Sequence, residues 1–286
     1  VLLGAGRTGT TLVSEILFRH RDLGFPSNYN EKFPLFPRIS LIRNVFDNRF
    51  WRVFGIKVQE LNNASFFNKI LFTPSEAWSM WDFITELGDD FSRGFLLGKT
   101  ANEDTKKNIL KYLHTVLVCQ NKSRLAFKLT GPARLEYLSS IFIKPVFINI
   151  VRNPVPMISS FMKSNFWQRQ GMKELWWKGA YSDNELELIN INKNNKIWFT
   201  SYQLKKVIET TNEELNISKD QNFEIKYEDF VKDPQEWLHY ILNSVNLDID
   251  KECFNYIKRH NIVSNERPDS KYFSNKELEL IYTIFN

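Results

Sequence analysis

The sequence predicts an α/β fold, a three-layer sandwich around a central parallel sheet. Three observations carry that prediction: an apolar run that breaks at a glycine-rich turn near residue 4, a nearly continuous apolar run at 146–151, and amphipathic stretches of helical length between them. Strands separated by helices pack as a parallel sheet covered on both faces. Such sheets bind ligands at the carboxyl ends of their strands. With 286 residues and 43% hydrophobic content, the chain can bury a full core and reads as one domain, 1–286.

Residues 1–20, VLLGAGRTGTTLVSEILFRH, read as strand, loop and helix, with Leu12, Val13, Ile16 and Leu17 as the apolar stripe. Only three residues precede Gly4, fewer than a strand usually has. The first strand therefore reads as cut short, with room for an anchor or leader upstream of Val1. A mixed region rich in Phe and Trp follows at 21–120. Next come a strand over Leu125–Leu129, a helix over Pro132–Ile141 and the buried strand at 146–151. A surface loop is expected over Asn190–Lys196. Further on, Tyr227 to Asp229 read as a short strand, and Asp233, Pro234 and Glu236 start a helix as cap, first residue and third residue after the cap. A capping box, Ser274 to Glu277, opens a last helix with Leu278, Ile281 and Ile284 inward.

The first loop carries the chemistry. Unpaired N–H groups at a helix start, together with the helix dipole, favour an anion, and Gly4, Gly6 and Gly9 allow close backbone approach. The spacing Gly4-x-x-x-x-Gly9 is that of a nucleotide-binding phosphate loop, but Thr10 and Thr11 follow where such a loop carries lysine and a hydroxyl residue. The loop's cation is Arg7. One cation and two hydroxyls suit a small dianion better than a nucleoside triphosphate.

A second segment, Lys144 to Lys163, ends its apolar strand in Arg152-Asn153-Pro154 and places Ser160 eight residues after the arginine. Together the two segments resemble the donor site of sulfotransferases that use 3′-phosphoadenosine 5′-phosphosulfate (PAPS). There, a loop of the form [R/K]-x-G-[ST]-[ST] holds the 5′-phosphosulfate, and R-[ND]-P with the later serine holds the 3′-phosphate. Residues 223–234, FEIKYEDFVKDP, are similar to the family's Y-E-D-[LF]-x-x-[DN]-P segment, whose tyrosine lies near the adenine. The resemblance implies that Arg7, Thr8, Gly9, Thr10 and Thr11 bind the phosphosulfate, Arg152 and Ser160 the 3′-phosphate, and Tyr227 the adenine neighbourhood. Arg267, in SNERPDSKYF, would close over the 3′-phosphate.

Sulfuryl transfer needs a cation at the leaving oxygen, a cation on the sulfuryl oxygens and a base for the acceptor proton. Arg7 suits the first. Lys128, in AFKLTGP, stands where the family has a lysine before its 3′-phosphate strand, and suits the second. The cytosolic branch of the family has a histidine base next to it; here Thr130 takes that place. Carbohydrate-type members instead use a glutamate about twenty residues after the loop. That points to Glu31 as base, with His114 second, although His114 lies in an apolar helical stretch that suggests packing. The implied donor is PAPS, with no metal, and the implied acceptor is a hydroxyl or amine of a carbohydrate, lipid or other small molecule. The tryptophan pair Trp176-Trp177 is the first choice for facing it. Two other readings are a nucleotide or nucleoside kinase with a degenerate phosphate loop, and a non-catalytic nucleotide binder on the same scaffold.

Composition narrows the rest. A net charge of +5 without a basic stripe or recognition motif fits attraction of a polyanionic donor better than nucleic-acid binding. Cys119 and Cys253 are far apart and read as free thiols, which favours a reducing, cytoplasmic setting. The histidines show no metal-ligand spacing, and no membrane span is predicted.

Overall fold

The computed structural model describes residues 1–55, 71–85, 90–262 and 271–286. Its strands are β1 (Leu2–Gly4), β2 (Leu23–Gly24), β3 (Arg124–Leu125), β4 (Lys128–Thr130), β5 (Val146–Val151) and β6 (Gln221–Lys226). Four of them form a parallel sheet in the order β4-β1-β5-β6, with Leu2 opposite both Lys128 and Ile148. Helices cover both faces. In chain order they are α1 (Thr10–Leu17), α2 (Asn28–Lys32), α3 (Arg43–Phe46), α4 (Arg49–Phe54), α5 (Trp78–Ile84), α6 (Glu103–Cys119) and α7 (Leu135–Ile141). Beyond β5 follow α8 (Pro154–Met162), α9 (Asn165–Arg169), α10 (Asp183–Asn192), α11 (Lys196–Ile217), α12 (Tyr227–Lys232), α13 (Pro234–Ser244), α14 (Lys251–His260) and α15 (Asn275–Phe285).

Successive strand residues point to opposite faces, and the core divides accordingly. Leu2, Ile148 and Ile150 pack with Val13 and Ile16 of α1 and with Leu238 and Ile241 of α13. Leu3, Leu129 and Phe147 pack on the other side with Ile109 and Leu113 of α6 and Leu138 of α7. The predicted three-layer arrangement is therefore the observed one. The last helix also forms as expected: Ser274 and Glu277 make the capping box, and Ile281 is buried. No helix among the described residues is long and apolar enough to cross a membrane.

Four local expectations change. The run predicted as one strand over Leu125–Leu129 splits, because the chain passes from one sheet to the other within it. Ala126 N–H donates to Gly24 O in the small β2–β3 sheet, whereas Phe127 O accepts from Leu2 N–H of the large one. The helix expected from Pro132 begins only at Leu135, since Arg134 has φ 57° and breaks the helical path. Tyr227 to Asp229 are helical; β6 ends at Lys226, and Glu228 and Asp229 sit in the first turn of α12, where carboxylates favour the helix dipole. The loop expected over Asn190–Lys196 shrinks to the three residues between α10 and α11.

α7 has no side-chain cap of its own; instead Glu214 of α11 accepts from Leu135 N–H at 2.8 Å. Burial pushes this carboxyl up from 4.5 to about 7, with the nearby backbone donors and the Arg134 guanidinium opposing the shift. Between those two values the native protein holds a proton that the unfolded chain releases, so this group lowers stability as pH rises across that window. Glu214→Gln keeps an acceptor oxygen and removes the titration. Its urea unfolding is expected to lose a pH 4.5–7 decline worth on the order of 3 kcal/mol. An unchanged pH profile would refute the assignment.

Candidate active site

Between Gly4 and Thr10 the backbone turns through three left-handed residues, Gly6 (φ 89°), Arg7 (φ 58°) and Gly9 (φ 98°). At Gly9 glycine is required twice over: by its φ, and because a Cβ there would lie 2.1 Å from Cδ2 of Tyr227. The loop delivers the chain into α1, which has no acidic residue in its first turn, so its N-terminal N–H groups suit an anion.

The separate segments singled out in the sequence meet at this loop. Arg7 Nε donates to Ser160 Oγ at 2.7 Å. Arg152 Nη1 donates to Arg7 O at 3.1 Å, and its guanidinium lies over the Tyr227 ring at 4.4 Å. Asn153 caps α8 through Val155 N–H, and its own N–H donates to Glu228 Oε1 at 3.0 Å. Arg7, Arg152, Ser160 and Tyr227 thus form one cluster built from the ends of β1, β5 and β6 and from α8. Desolvation and the neighbouring Arg152 lower the Arg7 pKa, and Glu76 raises it. Two guanidinium groups that oppose each other's charge are relieved by a polyanion. Buried Thr8 Oγ1 and Arg152 Nε have no hydrogen-bond partner, so acceptor oxygens of a phosphorylated ligand fit the chemistry of the loop.

Beside the loop opens a cleft of about 430 Å³, lined by Arg7, Thr10, Thr11, Glu76, Trp78, Thr130, Trp176 and Trp177 among others. A second cavity of about 400 Å³, lined in part by Thr8, Arg152 and Asn153, adjoins the same loop. Lys128 opens β4 rather than ending a strand. It is buried, and its Nζ donates to Thr11 Oγ1 at 3.2 Å and lies 3.7 Å from Glu76 Oε1.

Glu76 is the residue that sequence reasoning missed. It precedes α5, and its Oε2 accepts from Trp78 Nε1 at 2.8 Å and from Thr130 Oγ1 at 3.0 Å. The expected base, Glu31, points elsewhere: both its oxygens accept from Ser79, at 2.6 Å from Oγ and 3.1 Å from N–H, which ties α2 to the first turn of α5. It is not among the residues lining the cleft. His114 is exposed on α6 rather than packed. Arg267 lies outside the described residues. Of the tryptophans, Trp81 and Trp167 are core, while the suspected pair Trp176-Trp177 does line the cleft, joined by Trp78. Cys119 and Cys253 are both free.

The fold is similar to that of the sulfotransferase STF9 from Mycobacterium avium, with a TM-score of 0.58 at 15% identity over 99% of this chain and 74% of that one. The sulfotransferase domain from the curacin biosynthetic pathway aligns with a TM-score of 0.47 at 15% identity, over 99% of this chain and 96% of that one. No curated protein sequence matches. The family model for the sulfotransferase family matches residues 1–251, a span that contains the loop, the arginine cluster and the described residues of the cleft. The chain therefore belongs to the sulfotransferase family.

Proposed function

We propose that this chain, acting as one domain, moves the sulfuryl group of PAPS onto an acceptor hydroxyl. The observation that carries the reading is the convergence of Arg7, Arg152 and Ser160, from segments 145 residues apart, on one anion-binding loop. A donor with phosphates at both ends of a ribose would use both arginines at once. PAPS supplies an activated sulfuryl group whose phosphate leaves with the bridging oxygen. The residues of the loop, Arg7 to Thr11, hold the phosphosulfate. Arg7 neutralises charge at the leaving oxygen, and Lys128, steadied by Thr11, serves the sulfuryl oxygens. Arg152 and Ser160 take the 3′-phosphate, and Tyr227, stacked under Arg152 and against Gly9, borders the adenine.

Calorimetric titration with 3′-phosphoadenosine 5′-phosphate (PAP) in EDTA, with AMP and ADP as controls, tests the reading. Tight binding of PAP with little for AMP is expected. Arg152→Ala is expected to weaken PAP by roughly 1.5–3 kcal/mol, as for a charged hydrogen bond. Equal affinity for PAP and AMP, or a preference for ADP that appears only when magnesium is restored, would overturn the reading in favour of a kinase-like enzyme.

A further inference from the structure

The polar end of the cleft is organised around Glu76. Two donors, Thr130 Oγ1 and Trp78 Nε1, converge on its Oε2. Its Oε1 faces Lys128 Nζ at 3.7 Å, longer than a hydrogen bond. Lys128 is itself held by Thr11 of the anion loop. The carboxylate is therefore oriented through one oxygen, with the other beside the cation that serves the sulfuryl group. Thr130, at the position of the histidine base of the cytosolic branch, uses its hydroxyl to hold Glu76.

The rest of the wall is aromatic. Trp78, Trp176, Trp177, Phe161 and Phe166 line the same cleft, and the Arg93 guanidinium lies 4.2 Å over the Trp176 ring, fixing it in place. Flat apolar surfaces favour a flat ligand face. Charge argues for a neutral one: an anionic acceptor would meet Glu76, and a cationic one would stand beside Arg7 and Lys128. We infer that Glu76, not Glu31, takes the acceptor proton, and that the acceptor is an uncharged alcohol carried on a ring. This rests on the sulfotransferase reading above. In the step, the acceptor oxygen bonds to sulfur as the bond from sulfur to the bridging oxygen breaks. The electron pair stays on that oxygen beside Arg7, and the acceptor proton passes to Glu76 Oε1. Nothing is oxidised or reduced.

The test uses 4-nitrophenol, whose phenolate absorbs in the visible, added to the PAP-loaded protein. Bound to wild type it is expected to stay a neutral phenol, donating to Glu76. In Glu76→Gln the bound probe should ionise at a pH lower by about one unit or more, because the opposing charge is gone. Glu31→Gln should titrate like wild type. Trp176→Ala should weaken the probe at least tenfold, and 1-hexanol should not displace it. With PAPS, Glu76→Gln should lose roughly 10²–10⁴-fold in turnover at unchanged PAP affinity. A titration shift in Glu31→Gln instead, identical titrations in wild type and Glu76→Gln, or no binding of 4-nitrophenol would overturn the inference. Failure of wild type to bind PAP would overturn the donor reading, and this inference with it.

Discussion

Lys128→Met is expected to slow sulfuryl transfer by roughly 10²–10³-fold while leaving PAP affinity close to that of wild type. The side chain is 8% exposed, so its charge acts in a site largely closed to water, where it counts for more than at the surface. Its partners fix where it acts. Thr11 comes from the start of α1 and Glu76 from the segment before α5, so on the proposed reading the ammonium acts between donor and acceptor rather than on the 3′-phosphate. A group placed there strengthens its interactions as charge redistributes during transfer, so its loss lowers kcat more than it weakens binding. Acceptor-dependent release of PAP from PAPS, set beside calorimetry with PAP, separates the two quantities. A variant that loses affinity and rate in equal measure would assign Lys128 to ground-state donor binding.

Trp167→Ala is expected to cost about 3–5 kcal/mol of stability, the range for removing a buried aromatic side chain. Trp167 has no exposed surface. Its ring lies 4.7 Å from Phe161 and 5.3 Å from Trp177, and its Nε1 donates to Thr200 Oγ1 at 2.9 Å. Neighbouring Gly171 leaves room for it: a Cβ there would fall 2.3 Å from the indole. Replacement leaves a large cavity and removes the indole donor from Thr200. Phe161 and Trp177, which rest on Trp167, also line the cleft, so their positions should loosen as stability falls. Urea unfolding gives the first quantity. A destabilisation under about 1 kcal/mol would show that the cluster collapses around the gap.

The parts of this site that were legible in the sequence are those in which backbone geometry and chemistry share a few adjacent residues. Gly4 to Thr11 encode a turn and a helix start together, and Arg152 to Ser160 a strand end, an Asn cap and a helix. Those segments formed and met as the pattern implied. Glu76 was not legible because nothing local marks it. It sits before a short helix in a long aromatic-rich region, and its partners Lys128 and Thr130 lie more than fifty residues away. Glu31 shows the reverse: its spacing from the loop fits the pattern, and only the structure shows that Ser79 at a helix start binds both its oxygens. For Tyr227 the local signal was present but misread, since the carboxylates of Glu228 and Asp229 suit the first turn of a helix. The divided strand at 124–130 depends on two partners, Gly24 and Leu2, that no short window contains.

The strand order has a consequence for how the protein comes into being. β1 lies between β4 and β5, and its nearest partner in sequence is Lys128, opposite Leu2. During synthesis at about 5–20 residues per second, β1 and its loop therefore wait roughly 6–25 s for a first neighbour. Parallel pairing over such distances is intrinsically slow, and an unpaired apolar strand is exposed to aggregation for the whole interval. The loop that follows that strand gains its contacts with Arg152 and Ser160 only once β5 and the segment after it have been made. On the proposed reading, donor affinity should thus appear only after β4 and β5 have paired with β1.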